Sequence, residues 1–265
     1  MKNSWIRYGI LAALSFAASA ALGNAFSGPN PVSGNLAWDG SSNGYVSVSV
    51  STNSGGTWHN FLSGQFQGRF DPATEGNGLG PDDFFRFFCI ELGQFVDSAP
   101  NPYTRTLGVD GAHDATDAAE LTRLFDQFYP NGATGTYYSG GAQTNFGDFG
   151  PGATGAQNSA AFQLAVWEIW FDNTNNLDLS SGSFRADPLN PVTTQAQGYL
   201  TAIGNGSIPA DGWTLYEFTS PSKQDYLSVQ HTVPLQQTPE PGTLILLGVG
   251  ALAAWGASKR HRKTA

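Results

Sequence analysis

The chain has 265 residues and carries 21 acidic against 12 basic side chains, a formal net charge of −9 at pH 7. Between residues 26 and 238 the imbalance is larger, with six basic and twenty acidic residues and a net charge of −14. A surface this acidic repels nucleic acid and anionic lipid, and a single cysteine excludes an internal disulfide framework.

The N-terminus has the layout of a secretory signal peptide. Lys2 and Arg7 accompany an apolar stretch from Ile10 to Leu22, and small residues follow it. A positive start, an apolar middle and a small-residue end are the features that signal peptidase recognises. We expect cleavage after Ala25, with Ala20 as the alternative position, and therefore export of the chain.

Period-two alternation and aromatic runs predict a mostly β body. Residues 45–51, YVSVSVS, alternate apolar and polar side chains as a half-buried strand does. The run FFRFFCIEL at 84–92 has the length and flanks of a strand buried on both faces, and it holds the only cysteine, Cys89. Further strands are predicted over residues 58–70, 213–218 and 226–233.

Helical spacing of apolar residues begins in the middle of the chain. Asp117 is placed to cap a helix that runs to Tyr129, and Pro130 stops it. The glycine-rich segment that follows, residues 132–155, is predicted to be a long surface loop.

Two more helices follow this loop. Residues 159–171 are predicted to form the second helix, with Asn158 or Ser159 as its cap, and residues 193–203 to form a short third one. We therefore expect a mainly β fold with a helical insertion (α+β), a β-sandwich or barrel with two to three short helices.

The cysteine strand and the second helix carry a paired motif. Residues 162–167 read FQLAVW, and Gln163 follows Cys89 by 74 residues. An aromatic-Cys-hydrophobic step followed by Gln-x-Ala-hydrophobic-Trp resembles the thioester domains of bacterial surface proteins, although the adhesins usually have Thr where this chain has Phe162. The resemblance implies that the Cys89 thiol displaces ammonia from the Gln163 amide, and that a lysine of a partner then attacks the thioester.

The helical spacing leads independently to a buried glutamine. Gln163, Val166, Trp167 and Trp170 share one helix face, so the Gln163 amide faces apolar surroundings and needs a hydrogen-bond partner. Cys89 is a candidate partner. In the alternative interpretation, Cys89 is a small buried hydrophobe and Gln163 an ordinary polar residue of a helix.

Other ionisable residues give weaker indications. His59, His113 and His231 are candidate bases for acyl transfer, with a solvent-exposed histidine as the alternative in each case. Glu168 is predicted to lie at the surface or to act as a hydrogen-bond partner. No motif of a metal protease, phosphate loop or dinucleotide fold is present, so we expect no turnover enzyme, no catalytic residue and no metal.

Calcium is the one cofactor that the sequence raises, and only weakly. Oxygen-bearing side chains cluster at Asp110, Asp114, Asp117 and Glu120, and again between Asp172 and Asp178. The second cluster lacks the Gly and the terminal Glu of a helix-loop-helix calcium site. Helix capping and solvated loops explain both, so no cofactor is assigned.

The C-terminus combines an apolar run with a basic end. Residues 242–257 carry no charge, and as a helix they span about 24 Å, slightly less than the ~30 Å apolar core of a bilayer. A basic cluster follows at Lys259, Arg260, Arg262 and Lys263. Such a cluster stays on the cytoplasmic side, so this run is predicted to anchor the exported chain in the inner membrane.

A proline motif precedes the anchor. Pro239, Glu240 and Pro241 keep their segment extended, which suits a processing enzyme. Motif, apolar run and basic end together resemble the PEP-CTERM sorting signal. The resemblance implies export by a Gram-negative bacterium, processing by exosortase, and association with the cell surface or exopolysaccharide matrix.

The predicted organisation is a signal peptide (1–25), a thioester-domain-like body (26–233), a linker (234–238) and a sorting signal (239–265). The expected partners are signal peptidase, exosortase, and a surface or matrix polymer or lysine-bearing protein. The alternative function is that of a non-covalent structural or carbohydrate-contacting matrix protein.

Overall fold

The fold contains nine strands and three helices within the part of the chain that the structure, a computed structural model, describes. That part comprises residues 30–41, 43–72, 84–109, 113, 115–130, 147–172, 176–206 and 212–231. In chain order the elements are β1 (Val32–Ser41), β2 (Val46–Ser51), β3 (His59–Ser63), β4 (Phe66–Pro72), β5 (Phe84–Cys89), β6 (Asn101–Leu107), α1 (Ala115–Phe128), α2 (Gly152–Phe171), β7 (Arg185–Ala186), α3 (Pro191–Gly204), β8 (Trp213–Thr219) and β9 (Tyr226–His231).

Six of the strands close into an antiparallel barrel in the order β1-β4-β5-β9-β8-β6. Closure leaves no unpaired strand edge around the ring. The interior is filled by aromatic rings: Phe218 packs edge-on against Phe70 at 5.1 Å and stacks on Phe85 at 4.7 Å between centroids. The barrel therefore has a solid core.

A second layer lies outside the barrel. Strands β3, β2 and β7 form a small antiparallel sheet, with β2 in the centre. Helix α2 contacts this sheet, β5 of the barrel and both other helices. Every residue from Ser159 to Trp170 is buried, so this helix is the central element of the second layer.

The predicted mainly β fold with helices is confirmed, and of the two alternatives, a sandwich or a barrel, the structure has the barrel. Most predicted strands correspond to observed ones. The exception is residues 58–70, which form two strands, β3 and β4, that belong to different sheets. The chain turns between them at Gly64, where an added Cβ would lie 2.7 Å from the carbonyl oxygen of Gly44. Such a close approach between two backbone segments is possible because Gly64 has no side chain.

The helix starts differ from the predictions. Helix α1 begins at Ala115, so Asp117 lies in its first turn rather than capping it. Helix α2 begins at Gly152 after Pro151, and Ser159 bonds back to the Ala156 carbonyl from within the helix. The last residues of the predicted loop therefore belong to α2. This helix has 20 residues and is longer than the predicted helix over residues 159–171.

Two barrel strands, β1 and β6, were not predicted. Strand β1 contains Gly34 and Gly40, and β6 contains Pro102 and the buried Arg105, so neither has the apolar alternation typical of a strand. Residues 1–29 and 232–265 lie outside the described residues, and so do the predicted signal peptide and the predicted membrane helix. Within the described part, no helix is long and apolar enough to cross a membrane.

Candidate functional site

Cys89 is the last residue of β5, at one end of the barrel. It pairs with Tyr226 of β9, and the next residue, Ile90, donates its N–H to the Asp225 carbonyl at 3.0 Å. Successive residues of a strand direct their peptide groups to opposite sides. The N–H and C=O of Cys89 therefore point away from β9 and towards β4.

Strand β4 does not extend far enough to reach these groups. The β4–β5 register pairs Gln67 with Arg86 and Phe66 with Phe87. Continued by two positions, it would place Gly64 opposite Cys89. The chain has already turned into β3 there, so β4 offers no backbone partner to Cys89.

The side chain of Gln163 takes this place. Its Oε1 accepts a hydrogen bond from the Cys89 N–H at 2.8 Å, and its Nε2 donates to the Cys89 carbonyl at 2.8 Å. Both residues are buried, with 2% of Cys89 and 0% of Gln163 exposed. The structure thus brings the two residues of the motif into direct contact and satisfies both peptide groups of Cys89.

Packing on both sides of this contact fixes helix α2 against the strand. Phe88 points away from the barrel interior and packs against Phe162 at 4.8 Å between ring centroids. Ser63 at the end of β3 donates its hydroxyl to the Ala160 carbonyl at 2.8 Å. The residue before Gln163 is thus held in an aromatic cluster, which explains an aromatic side chain at position 162.

A cleft of 590 Å³ opens over Cys89 at this end of the barrel. The described residues that line it include no Asp, Glu, Lys or Arg. Its polar side chains other than tyrosine are His59, Asn60, Gln94 and Gln224. Its aromatic side chains are Trp38, Tyr45, Phe61, Phe66, Phe95 and Trp167.

Burial dominates the electrostatics of the site. It raises the pKa of the Cys89 thiol well above its ordinary value, so the thiol is protonated at neutral pH. Burial, with a smaller contribution from Cys89, also raises the pKa of Tyr45 to about 12. The Tyr45 hydroxyl is therefore a hydrogen-bond donor in the cleft at neutral pH rather than a base.

Glu168, five residues after Gln163, is buried rather than at the surface. Its Oε1 accepts a hydrogen bond from the Asp178 N–H at 3.0 Å, which agrees with the alternative of a hydrogen-bond partner. Burial is the main cause that raises its pKa to about 9, followed by the negative charge of Asp172. Glu168 is accordingly an uncharged acid at neutral pH.

The predicted candidate bases lie in different places. His59 is exposed and lines the cleft with Cys89. His113 is half-buried, packs its ring on Trp170 at 3.7 Å between centroids and lies 3.4 Å from an Asp117 oxygen. His231 is the last described residue, at the end of β9. Of the two histidine side chains that the structure describes, His59 and His113, only His59 lines the cleft.

The two predicted calcium clusters fall partly outside the described residues. The members that lie outside are Asp110, Asp114, Asn173 and Asn175. In the part of the chain that the structure describes, no group of three His, Cys, Asp or Glu residues is arranged to hold a metal ion. The sorting-motif and basic-cluster residues, Pro239, Glu240, Pro241, Lys259, Arg260, Arg262 and Lys263, also lie outside it.

The cleft walls are the part of the site that sequence reasoning missed. Trp38 of β1, Tyr45 before β2 and Leu92 after β5 come from segments far apart in the chain. No local pattern connects them, because only closure of the barrel places them around Cys89. Two of the large apolar side chains that line the cleft are exposed, Phe95 at 89% and Leu62 at 62%.

Comparison with protein families finds one match. Residues 237–262 match the family model of the PEP-CTERM protein-sorting motif. This motif indicates an exported protein that is processed by exosortase and is anchored in the membrane before processing. No curated protein matches the chain, and neither does any solved structure.

Proposed function

We propose that this chain is a surface protein that attaches itself covalently to a partner amine through an internal thioester between Cys89 and Gln163. Each molecule reacts once, so it is not a turnover enzyme. After exosortase processing it resides at the cell surface or in the exopolysaccharide matrix of a Gram-negative bacterium. Signal peptidase and exosortase are its processing partners.

The double hydrogen bond between Gln163 and Cys89 is the observation that carries this proposal. It holds the primary amide, a poor electrophile, against the main chain of the residue that carries the only thiol of the sequence, which lowers the entropy cost of bringing amide and thiol together. It also polarises the carbonyl, because the Cys89 N–H already points at Oε1. The same N–H would stabilise the negative charge that develops on Oε1 during attack.

The bond-forming step balances without any further reagent. The Cys89 Sγ bonds to the Gln163 Cδ, and the bond from Cδ to Nε2 breaks. The thiol proton passes to Nε2, which leaves as ammonia. Because burial keeps the thiol protonated, this proton is available for transfer as Sγ attacks.

In the acyl transfer to the partner, the Cys89 sulfur would be the leaving group and the partner amine the nucleophile. The partner amine attacks Cδ, an amide bond forms, and the bond from Cδ to Sγ breaks to return the Cys89 thiol. His59 in the same cleft is a candidate to take the proton of the incoming amine. The acceptor is a lysine-bearing protein or an amine on a surface or matrix polymer.

A non-covalent matrix protein is the second candidate, and the cleft itself favours it. Its described walls contain no Asp, Glu, Lys or Arg, and they combine six aromatic side chains with the amides of Asn60, Gln94 and Gln224. Such a lining suits the flat apolar faces and hydroxyls of a neutral saccharide. In that case Gln163 only completes the hydrogen bonding of Cys89 where β4 ends.

Amine labelling distinguishes the two candidates. Residues 26–238 contain every described strand and helix, so this segment is treated with isotope-labelled methylamine and digested. We expect one label on the Gln163 side chain of the wild type and none in a Cys89→Ala variant. Gln197 is a matched control within the same protein, because it also bonds a main chain through both amide atoms but has no cysteine beside it. The thioester proposal would be wrong if the Cys89→Ala variant were labelled at Gln163, or if Gln197 were labelled as strongly as Gln163.

A further inference from the structure

Strand β3 has an open edge within the described part of the chain. It lies at one side of the small sheet and pairs only with β2, from Val46↔Ser63 to Val50↔His59. The edge away from β2 carries peptide N–H and C=O groups at every second residue. An open edge of this kind is a template for a further strand.

The same edge forms a wall of the cleft that holds Cys89. Four consecutive residues of β3, His59 to Leu62, line it. Consecutive side chains of a strand point to opposite faces of the sheet. A cleft that touches four residues in a row therefore runs along the edge of the strand rather than over one face.

Apolar side chains stand exposed along this wall. Leu62 is 62% exposed and Phe95 is 89% exposed, and both line the cleft. Large apolar residues that cluster in the open at a cleft mark an interaction site more often than isolated ones do. Trp58, next to β3, is also 43% exposed.

The charge of the site selects among partners. The described cleft residues include no Lys or Arg to bind an anionic polymer, and the whole chain at −9 repels such a polymer. A lysine-bearing segment is attracted by that net charge over a distance. In the apolar cleft, desolvation lowers the pKa of its amine and favours the neutral form that can attack a thioester.

We propose that the open edge of β3 is a docking surface for an extended polypeptide segment of a partner protein. The segment adds to β3 as a strand, places an apolar side chain against Leu62 and Phe95, and carries a lysine into the cleft above Cys89. Main-chain hydrogen bonds provide the binding energy. Leu62 and Phe95, which we call the rim of the cleft, provide the preference for apolar residues next to the lysine. The reaction of that lysine rests on the proposed thioester, whereas the docking does not.

Docking is tested first in a Cys89→Ser variant of residues 26–238, in which no thioester can form. The probe is an acetylated nonapeptide that alternates Leu and Thr about one central Lys. We expect it to slow hydrogen exchange of alternate amides between His59 and Leu62 by about tenfold or more. The same peptide with N-methylated alternate amides is the control and is expected to give no protection.

Three results would overturn the docking proposal. The first is no protection by the peptide, or equal protection by its N-methylated form. The second is protection of these amides before any peptide is added. Such protection would come from another part of the chain if it is independent of protein concentration, and from a second copy of the chain if it grows with concentration. The third is protection by a glucosamine oligomer in place of the peptide.

The rim is tested by two exposed substitutions with a matched control. Leu62→Ser and Phe95→Ser are each expected to weaken peptide binding by about tenfold, because the partner loses an apolar contact. Leu189 is as exposed as Phe95, at 89%, but does not line the cleft. Leu189→Ser is therefore expected to leave binding unchanged, and an equal loss in all three variants would contradict the assignment of the rim.

The covalent arm uses the wild type and separates the two proposals. We expect the lysine peptide to react with the thioester about tenfold faster than lysinamide at the same concentration. Docking is the reason, since it raises the local concentration of the amine. Equal rates would overturn the docking proposal and leave the thioester intact. A chain without a thioester that still binds the peptide at β3 would overturn the proposed function and leave docking intact.

Discussion

Gln163 replaces a strand beside Cys89, because its side-chain amide makes the two hydrogen bonds, each 2.8 Å, that a β4 residue would otherwise make. One contact thus completes the hydrogen bonding of the strand end and joins the Gln163 amide to the main chain of the cysteine. The structural part of this role can be measured separately from the chemical part.

Gln163→Ala is expected to lower the free energy of unfolding by about 2–4 kcal/mol, because it leaves a buried N–H and a buried C=O of Cys89 without partners. Gln197→Ala is the matched control. Gln197 makes the same pair of bonds, to the Leu179 N–H and the Leu177 carbonyl, at a half-buried position where water can replace it. Its loss is expected to cost about 1 kcal/mol. Denaturant unfolding measures both, and equal losses would contradict this account of Gln163.

The turn at Gly64 decides where β4 ends and is sensitive to a single methyl group. In Gly64→Ala the new Cβ would lie 2.7 Å from the Gly44 carbonyl oxygen and 3.0 Å from the Tyr45 ring. We expect a loss of about 1–3 kcal/mol together with reduced methylamine labelling at Gln163. Gly198→Ala on α3, where no described atom lies within 4 Å, is the control and should gain about 1 kcal/mol. Thermal unfolding that moves in the same direction for both variants would argue against a special role of Gly64.

Glu168 makes stability depend on pH. Its folded-state pKa is raised from 4.5 to about 9, so between these values the unfolded chain has released a proton that the folded chain keeps. Stability therefore falls as pH rises through this window, by up to about 1.4 kcal/mol per pH unit. Glu168→Gln, which stays neutral, is expected to flatten this part of the profile. Urea unfolding at several pH values checks it, and an unchanged slope in the variant would assign the dependence to other groups.

Release of a thiol is expected to accompany the reaction with amine. The proposed thioester would mask the single cysteine of the sequence, so the unfolded wild type is expected to bind almost no maleimide. After methylamine treatment it should bind one maleimide per chain, at Cys89. A Gln163→Ala variant is expected to expose its thiol on unfolding without any amine. Wild-type protein that reacts fully before methylamine treatment would show that Cys89 is a free thiol.

The fold was predicted where the pattern is local. Strand β5 is apolar except for Arg86, and α3 has helical spacing and begins after Asn190, whose side chain caps it. Helix α2 was placed correctly from residue 159 onwards, but its first turns contain glycine and alanine with no capping side chain. Its start at Gly152 follows Pro151, whose side chain makes no capping hydrogen bond, so the sequence there carries no capping signal for the helix start.

The site was predicted in part for the same reason. Cys89 and Gln163 stood out because residue types and helical spacing set them apart. The partner groups of Gln163 are main-chain atoms of Cys89, and they need a partner only because β4 turns away at Gly64. That condition, like the cleft and the open edge of β3, arises from the topology rather than from any segment.

The intact mass of residues 26–238, kept away from strong nucleophiles, decides whether the thioester exists. We expect a wild-type mass one ammonia below that calculated from the sequence, a full calculated mass in Cys89→Ala and in Gln163→Ala, and gain of one methylamine by the wild type. A wild-type mass equal to the calculated value would contradict the proposed thioester, and Cys89 and Gln163 would then form only a packing contact at the end of the barrel.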